Sequence, residues 1–397
     1  MTQRNAYYPR HFTVVFLALY GLSALYIFHK MLINYSNSSY IERLTSPEAI
    51  GILYALGSAG AIATLLVSPT LFRLVDRRWL AFTIATTEIV ALILVGLNLT
   101  PVVTLGAFVV ALVLMPSVGL VIDLLAEAVM GDDESATGTR WALMLSAMSI
   151  VSIIATLTLS GVVGSEPERL QLMYFISAAT LIVLLITVQL LFRNHRLPEH
   201  PPIRLRESLV HLWQDRDLRF AYLARLTLSI FFGTVAIYLP LYLVQEFGFS
   251  WGAIGLLLAA EFTAYLVSEY PIGVLADRYW GEVEMLIAGF LLLTGVMGSV
   301  SFLSMPDFWV WAALFFTMGL GGSLVETTLV SYYYKHTTAT DVDLISFFRT
   351  TTPFAAGIGA LLGSAVLWYL SFPFIFLCLA GLLLVGVVYA TQLRDTR

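Results

Sequence analysis

Long stretches without charged residues recur along the whole chain, and they constrain its fold more than any other feature. Each stretch holds about 20 mostly apolar residues, the length that an α-helix needs to cross the roughly 30 Å hydrocarbon core of a bilayer. Of the 397 residues, 59% are hydrophobic and 12% are charged. A soluble domain carries about 25% charged residues, so this chain cannot cover a surface exposed to water. We therefore predict a polytopic membrane protein.

The charge and the cysteine count exclude several other classes. The net charge is only −5, and Cys378 is the single cysteine. A lone cysteine cannot form an internal disulfide, which excludes a secreted disulfide-rich scaffold. The sequence contains no Walker motif, no pair of metal ligands such as His-x-x-x-His on a helix, and no nucleophile–base spacing. We expect no enzyme, no metal, no cofactor and no nucleic-acid partner.

Twelve apolar stretches predict an all-α integral membrane protein with twelve helices. Ser371-Phe372-Pro373 divides the uncharged stretch from Thr350 to Leu393 into the last two helices. The first stretch is too long for the core of a signal peptide, and no small-residue cleavage site follows it, so we expect it to remain as a membrane helix. The predicted helices cover about residues 12–32, 48–72, 79–98, 102–126, 140–163, 170–192, 219–245, 251–275, 284–304 and 308–334, with two more between 350 and 393.

The basic residues predict the orientation of these helices. If the N-terminus is cytoplasmic, the outer connections contain only Lys30, Arg43 and Arg169, and most other basic residues fall on inner segments. Cytoplasmic loops carry an excess of Lys and Arg, so we expect a multi-pass protein of the cell (inner) membrane with both termini in the cytoplasm. His29 and Lys30 would then end helix 1 on the outer side, where we interpret them as a snorkelling anchor.

The longest polar stretch between helices divides the chain into two sets of six. It runs from about Arg193 to Arg219 and includes a predicted amphipathic surface helix from Leu205 to Asp217. Six helices on each side suggest an internal repeat. The predicted domains are an N-terminal six-helix bundle (1–192), a cytoplasmic linker with an amphipathic helix (193–218) and a C-terminal six-helix bundle (219–397).

Two charge patterns occur at equivalent points of both halves. An Asp-Arg pair follows helix 2 and helix 8, and an acid-x-acid-x5-Arg pattern opens helix 5 and helix 11. An acid at the end of one helix can face the free N–H groups at the start of a neighbouring helix. The residues that can form such contacts are Asp76, Arg77, Arg140, Asp277, Arg278 and Arg349.

At these residues the chain resembles the major facilitator superfamily. The sequence GVLADRYWG at residues 273–281 is similar to the loop motif of that family, although Glu282 stands where a basic residue is usual. The copy after helix 2 departs further, with Phe72, Val75 and Trp79 at motif positions. The resemblance implies two pseudo-symmetric six-helix bundles, with Asp76 facing Arg349 and Asp277 facing Arg140. We predict that the six residues named above form a cytoplasmic gate; a role in topology alone is the alternative.

Ionisable residues deeper in the membrane are candidates for function, since each costs about 2.5–3.5 kcal/mol to insert at the helix centre. Arg225, Glu269 and Glu326 lie at similar depth on helices 7, 8 and 10, which predicts a buried charged cluster. Glu261 lies near the middle of helix 8 with no basic residue at its level, and it is our leading candidate for proton coupling. A glutamate kept neutral by a hydroxyl or a backbone carbonyl is the alternative.

Further polar residues lie within other predicted helices. Tyr20, Tyr26 and Tyr238 have polar tips that suit the lining of a substrate cavity. Glu88 is interpreted as a structural or lipid-edge residue, because helix 3 is peripheral in the fold that the chain resembles. Asp123 and Glu127 lie four residues apart on one face at the inner end of helix 4, and because like charges repel each other there, we expect a basic partner or a wet vestibule.

These observations predict a monomeric secondary active transporter that moves a small organic solute by alternating access and is coupled to protons. The resemblance also limits the subfamily: helix 5 lacks the Gly-Pro pair of drug/proton antiporters, and the sugar-porter signature after helix 6 is absent. Two alternatives stay open. One is a transporter of lipids or amphiphiles, and the other is a transporter-like sensor or binding protein that does not transport.

Overall fold

Twelve helices of 19 or more residues make up almost all of the part of the chain that the computed structural model describes. That part comprises residues 10–74, 77–130, 134–191, 210, 212–278, 281–336 and 342–394. The helices are α1 (Arg10–Asn34), α2 (Pro47–Leu74), α3 (Arg77–Leu97), α4 (Pro101–Met130), α5 (Glu134–Val163), α6 (Leu170–Leu191), α7 (Arg216–Phe247), α8 (Trp251–Arg278), α9 (Glu282–Phe302), α10 (Phe308–His336), α11 (Val342–Tyr369) and α12 (Phe372–Ala390). They correspond one to one with the predicted helices and confirm the predicted fold class.

The length and composition of these helices suit a membrane. Eleven of those in the described ranges are long and apolar enough to cross a bilayer, and α5 contributes a shorter apolar segment, Ala147–Val163. Many large apolar side chains are exposed on the helix faces that point away from the protein interior, among them Val102, Leu190 and Phe302. Such residues belong against lipid, because a soluble protein rarely exposes contiguous apolar surface on this scale.

The ends of α7 show how local sequence sets the helix boundaries. Asp215 caps its start, and the carboxylate accepts hydrogen bonds from the backbone N–H groups of Asp217 and Leu218 at 2.8 and 3.0 Å. The helix therefore begins at Arg216, slightly before the predicted start. Gly248 ends it with a φ of 65°, a left-handed conformation that glycine adopts without strain. Most of the linker lies outside the described residues, so the predicted domain boundaries stay predictions.

The helices pack as two sets that meet along two related seams. Within the first set, α1 packs on α4, α5 and α6, and α3 packs on α4 and α6; within the second set, α8 packs on α10, and α7 on α11 and α12. The largest contacts between the sets are those of α2 with α11 and of α5 with α8. Since α8 is the repeat of α2 and α11 the repeat of α5, the two seams are equivalent under the pseudo-symmetry.

Both seams are closed at one end of the molecule. We call this end the outer side, after the orientation predicted from the arginines; it carries the α1–α2 and α7–α8 connections. On the α5–α8 seam, the Gly252 N–H donates to the Gly164 carbonyl at 2.7 Å, and Ser160 Oγ donates to the Gly252 carbonyl at 2.7 Å. On the α2–α11 seam, the Gly51 N–H donates to Ser364 Oγ at 3.0 Å. These contacts hold the helix ends of both seams together on this side.

A buried segment between α1 and α2, residues 35–41, reinforces this closure, and we call it the outer cap. All seven of its residues are buried although five of them carry hydroxyl groups and one an amide. Tyr40 Oη donates to the Val95 carbonyl at 3.0 Å, and Tyr174 Oη donates to Asn37 Oδ1 at 2.7 Å. The short helix of the cap, Asn37–Ile41, also contacts α7 of the second set. The outer cap therefore connects the two sets on the outer side.

Candidate functional site

An ion pair between α7 and α10 forms the centre of the candidate site. Arg225 Nη1 lies 2.9 Å from Glu326 Oε1. The two side chains are 28% and 39% exposed, so the pair borders open space instead of a sealed core. A lone charge at this depth is costly, and pairing lets both groups keep their charge. The predicted proximity of Arg225 and Glu326 is thus present in the structure.

Glu269 of α8 extends the pair into a charged cluster. It interacts electrostatically with Glu326, and Ser149 Oγ of α5 donates to its Oε1 at 3.5 Å, a long hydrogen bond. Because Ser149 belongs to the first set of helices, Glu269 lies where the two sets meet. Two carboxylates beside one guanidinium leave an excess negative charge that a proton or a cationic group can neutralise.

Glu261 lies deeper in the fold than this cluster. It is 1% exposed, and its Oε2 has no hydrogen-bond partner among the residues that the structure describes. Helix α10 packs closely here, since a side chain at Gly319 would overlap the Glu261 carbonyl oxygen. The electrostatic neighbours of Glu261 include Tyr35 of the outer cap and Tyr265 of α8. A proton on Oε2 would remove the charge of a carboxyl group that has almost no contact with solvent.

Lys30 of α1 brings a positive charge from the first set of helices to the same site. It interacts electrostatically with Glu326. This placement corrects the interpretation of Lys30 as a snorkelling anchor on the outer side. The physical reason is the outer cap: α1 continues to Asn34 and is followed by a buried segment, so Lys30 lies inside the molecule and acts on the second set. The sequence suggested no partner for it because Glu326 lies far away along the chain.

Aromatic side chains lie beside the charged groups. The rings of Tyr35 and Phe262 meet edge to face with centroids 6.2 Å apart, and those of Phe232 and Tyr265 are 6.5 Å apart. Tyr265 also interacts electrostatically with Arg225 and with both Glu261 and Glu326. Sequence reasoning missed these four aromatics, because the chain contains 25 Phe and 19 Tyr and nothing in a single sequence distinguishes the few at the site.

The three tyrosines predicted to line a cavity occupy different environments. Tyr26 Oη donates to the Met115 carbonyl of α4 at 3.1 Å. Tyr238 is fully buried, and its hydroxyl donates to the Ala360 carbonyl of α11 at 2.6 Å. Tyr20 is half-buried on α1. In this conformation the hydroxyls of Tyr26 and Tyr238 join neighbouring helices, and a substrate contact stays a prediction for all three.

A second buried polar cluster lies inside the first set of helices. His29 of α1 places Nε2 at 3.1 Å from Glu88 Oε1 of α3 and Nδ1 at 2.6 Å from Ser177 Oγ of α6. His29, Glu88 and Ser177 are all fully buried. His29 is therefore no outer anchor and Glu88 no lipid-edge residue, because each is enclosed by α1, α3 and α6. The sequence did not suggest the pair, since the two residues lie on different helices and a partner for either was not evident.

The predicted cytoplasmic gate lies outside the part that the structure describes in atomic detail. Asp76 is not among the described residues. For the other five, the helical backbone is described and the side chains are not: Arg77, Arg140, Asp277, Arg278 and Arg349. Their role as a gate stays a prediction.

Comparisons with known proteins agree with this fold. The family model of the Major Facilitator Superfamily matches residues 11–340 and, in a second match, residues 221–396. Among solved structures, the nucleoside transporter NupG in a mutant form is similar over 96% of this chain and 100% of that chain, with a TM-score of 0.76 and 15% identity. A further NupG structure gives a TM-score of 0.66 at 14% identity, covering 95% and 98% of the two chains. At this identity the likeness concerns the fold.

Relatives at the level of sequence point to the same family. The multidrug resistance protein MdtG of Salmonella typhi and that of Salmonella newport are each 24% identical to this chain over 265 residues. The match covers 65% of this chain, and the chain spans 65% of the length of these relatives. The family model, in contrast, matches nearly the whole sequence. The chain therefore belongs to the Major Facilitator Superfamily.

Proposed function

We propose that this chain is a secondary active transporter that moves a small organic solute by alternating access and is coupled to protons. The observation that carries the proposal is the charged cluster of Arg225, Glu326 and Glu269, which lies where the two sets of helices meet, with Lys30 acting on it from the opposite set. Family membership supports transport, as do the names of the relatives. Intramembrane charges at the boundary between two repeats are the expected position for substrate and ion binding.

The arrangement of the seams supports an inward-facing state. The outer ends of both seams and the outer cap are closed, whereas Arg225 and Glu326 border open space. We infer that solute enters and leaves the charged cluster from the inner side in this conformation, and that opening the outer seams completes the cycle. The inner side is the cytoplasmic side in the proposed orientation, with the protein in the cell membrane and both termini in the cytoplasm.

The charges at the site favour a solute with a positive charge. Within the described residues, three carboxyl groups (Glu261, Glu269 and Glu326) accompany two basic groups (Lys30 and Arg225). When all are ionised, one negative charge is in excess, and either a proton or a cationic solute can balance it. Competition of this kind gives exchange of solute against protons. The aromatic rings beside the site can also stabilise a cation through its interaction with their faces.

The transport proposal can be tested with the full-length protein in liposomes that carry an imposed pH gradient. The first probes are tetraphenylphosphonium, a lipophilic aromatic cation, and uridine, a neutral nucleoside. We expect the pH gradient to drive tetraphenylphosphonium against its own concentration gradient, and uridine to move more slowly. If both probes bind and neither moves, the alternative of a transporter-like sensor or binding protein replaces the proposal.

A further inference from the structure

Two aromatic rings cover the deep end of the candidate site, those of Phe232 on α7 and Tyr265 on α8. Their centroids are 6.5 Å apart. Tyr265 interacts electrostatically with Glu326 of the ion pair. Along α8, Tyr265 lies one helical turn from Glu269 towards the inner side and one turn from Glu261 towards the outer side. The ring of Tyr265 therefore lies between the charged cluster and the buried Glu261.

A glycine of α10 leaves room for both rings. Gly322 is buried one turn from Glu326, on the same face of α10. A side chain at Gly322 would overlap the Tyr265 hydroxyl and would lie 2.8 Å from Phe232 Cζ. Both atoms are the far ends of flexible side chains, so the rings can move away from α10 to accommodate an added methyl group. The lack of a side chain at Gly322 therefore determines where the rings lie.

The rings border open space on one side and the packed core on the other. Arg225 and Glu326 are 28% and 39% exposed, and Phe232 is half-buried. Phe231, whose ring centroid is 5.0 Å from that of Phe232, is fully buried. Because a closely packed core yields little, rings displaced from Gly322 would move into the open space of the site. The site would then be shallower.

The rings and the charged groups together suit one class of solute. Aromatic rings attract cations to their faces and pack on other rings at centroid distances of about 4.5–7 Å. Glu269 and Glu326 interact electrostatically with each other and supply negative charge beside the rings. A cation that carries aromatic groups can place its charge at these carboxylates and a ring on Phe232 or Tyr265. A shallower site would exclude such a solute and still admit a compact cation.

We propose that Gly322 is a positioning residue that sets the size of the solute through Phe232 and Tyr265, and that the site takes cations with aromatic groups. This inference rests on the proposed function, and it narrows the cationic solute to an aromatic one. Binding of a probe cation can be measured on the purified protein in detergent, so the result does not require transport.

The test measures how tightly the purified full chain binds tetraphenylphosphonium and the more compact tetraethylphosphonium, by competition against radiolabelled tetraphenylphosphonium. In Gly322→Ala we expect the affinity for tetraphenylphosphonium to fall at least about fivefold and that for tetraethylphosphonium to stay unchanged. Adding Tyr265→Phe should restore most of the lost affinity, because it removes the hydroxyl that the new methyl group would overlap. Loss of helix packing alone predicts neither the difference between the two cations nor the rescue.

The neighbouring glycine of α10 provides the matched control. A side chain at Gly321 would lie 2.9 Å from Leu293 Cγ of α9, so this residue faces away from the two rings. Gly321→Ala should leave both affinities unchanged. Unchanged binding of tetraphenylphosphonium in Gly322→Ala, or equal weakening of both cations, would overturn the proposal.

A second variant tests the rings directly if Gly322→Ala does not fold. Tyr265→Leu removes a ring that would pack on the solute, and it should weaken the binding of tetraphenylphosphonium but not that of tetraethylphosphonium. Wild-type affinity for tetraphenylphosphonium in Tyr265→Leu would overturn the proposal, as would the absence of tetraphenylphosphonium binding by the wild type. Tetraphenylphosphonium that binds but does not cross the liposome membrane would contradict the proposed function alone.

Discussion

At the scale of single residues, Glu261→Gln replaces a buried carboxyl group with an amide of nearly the same shape that cannot exchange a proton. Glu261 is 1% exposed and one of its oxygens lacks a hydrogen-bond partner in the described ranges, so the amide should be accepted and the protein should fold. We expect Glu261→Gln to lose accumulation of tetraphenylphosphonium driven by a pH gradient, while exchange of the probe without a gradient continues. Both rates can be measured in the same liposomes.

The control for this substitution is a carboxyl group far from the central site. Glu246 is exposed at the outer end of α7, and Glu246→Gln should leave gradient-driven accumulation unchanged. Accumulation at the wild-type level in Glu261→Gln would show that the coupled proton binds elsewhere. The buried carboxyl would then be a structural group kept neutral by its surroundings.

The pKa of Glu42 leads to a prediction of how external pH affects the closure of the outer side. Gln245 of α7 donates a hydrogen bond to Glu42, so the residue bridges the two sets of helices. Burial raises the pKa of Glu42 above its ordinary value, Glu48 adds to this, and Arg43 opposes it. The closed state therefore binds a proton more tightly than an open state in which Glu42 is solvated. The outer side should become more firmly closed as external pH falls through that pKa.

This dependence can be measured with a cysteine that closure buries. Ser364→Cys in a Cys378→Ser background places the only thiol on the α2–α11 seam, where Ser364 is 2% exposed. As external pH is lowered, the rate at which the cysteine is labelled from outside should decrease more steeply than it does in the same protein carrying Glu42→Gln. The ionisation of the thiol also changes the labelling rate with pH, but it does so equally in both proteins. The ratio of their labelling rates at each pH therefore reports only the effect of Glu42. Parallel curves would contradict the assignment.

Depth along a helix is the information that sequence supplies about single residues. It placed Arg225, Glu269 and Glu326 at one level, and the structure brings these three together. It could not supply the partners of Lys30 and His29, because each partner lies on a helix that approaches only through tertiary packing. Buried hydroxyls such as Ser149 also escaped prediction, since serine occurs at many positions of these helices.

At the scale of helices, a side chain introduced at Gly51 should force the α2–α11 seam apart. A side chain at Gly51 of α2 would overlap both the Ala360 carbonyl and the Ser364 hydroxyl of α11. Overpacking of this kind costs about 1–3 kcal/mol, and an open outer side would relieve it. We expect Gly51→Ala to raise the labelling rate of the cysteine at Ser364 by roughly 5- to 150-fold.

A second glycine separates this effect from a general loss of helix flexibility. Gly106 of α4 has no neighbouring atom within 4 Å of an added side chain. Gly106→Ala should therefore leave the labelling rate unchanged. An unchanged rate in Gly51→Ala as well would mean that α2 and α11 adjust without opening the outer side.

The helices themselves follow from sequence, whereas the connection between α1 and α2 does not. Apolar length predicted all twelve helices because each must span a hydrocarbon layer of fixed thickness. The outer cap is rich in Ser, Asn and Tyr, and a polar segment of this kind normally indicates a solvated loop. It is buried here with hydrogen bonds from Tyr40 and to Asn37, whereas the hydroxyls of Ser38 and Ser39 have no hydrogen-bond partner within the described residues. Those bonds depend on where α3 and α6 lie.

At the scale of the whole molecule, the repeat predicted the equivalence of the two halves but not which side of the molecule is closed. Under the proposed alternating access, the same sequence has to support both inward-facing and outward-facing states that differ by only a few kcal/mol. Sequence patterns therefore indicate which helices form the seams. The contacts of Gly51, Ser160 and Gly252 show that in this structure the seams are closed on the outer side.

Fixing the outer side closed should stop the transport cycle. Glu42 and Gln245 touch across the two sets of helices, so Glu42→Cys/Gln245→Cys in a Cys378→Ser background can be joined by a short bis-methanethiosulfonate. We expect the joined protein to lose most tetraphenylphosphonium flux and to regain it after reduction, because the cycle requires these two residues to separate. The control joins Glu166→Cys to Arg169→Cys, whose parent side chains lie 2.8 Å apart within one half, and its flux should not change. Unchanged flux in the first joined protein would mean that solute passes without opening of the outer side, contrary to alternating access.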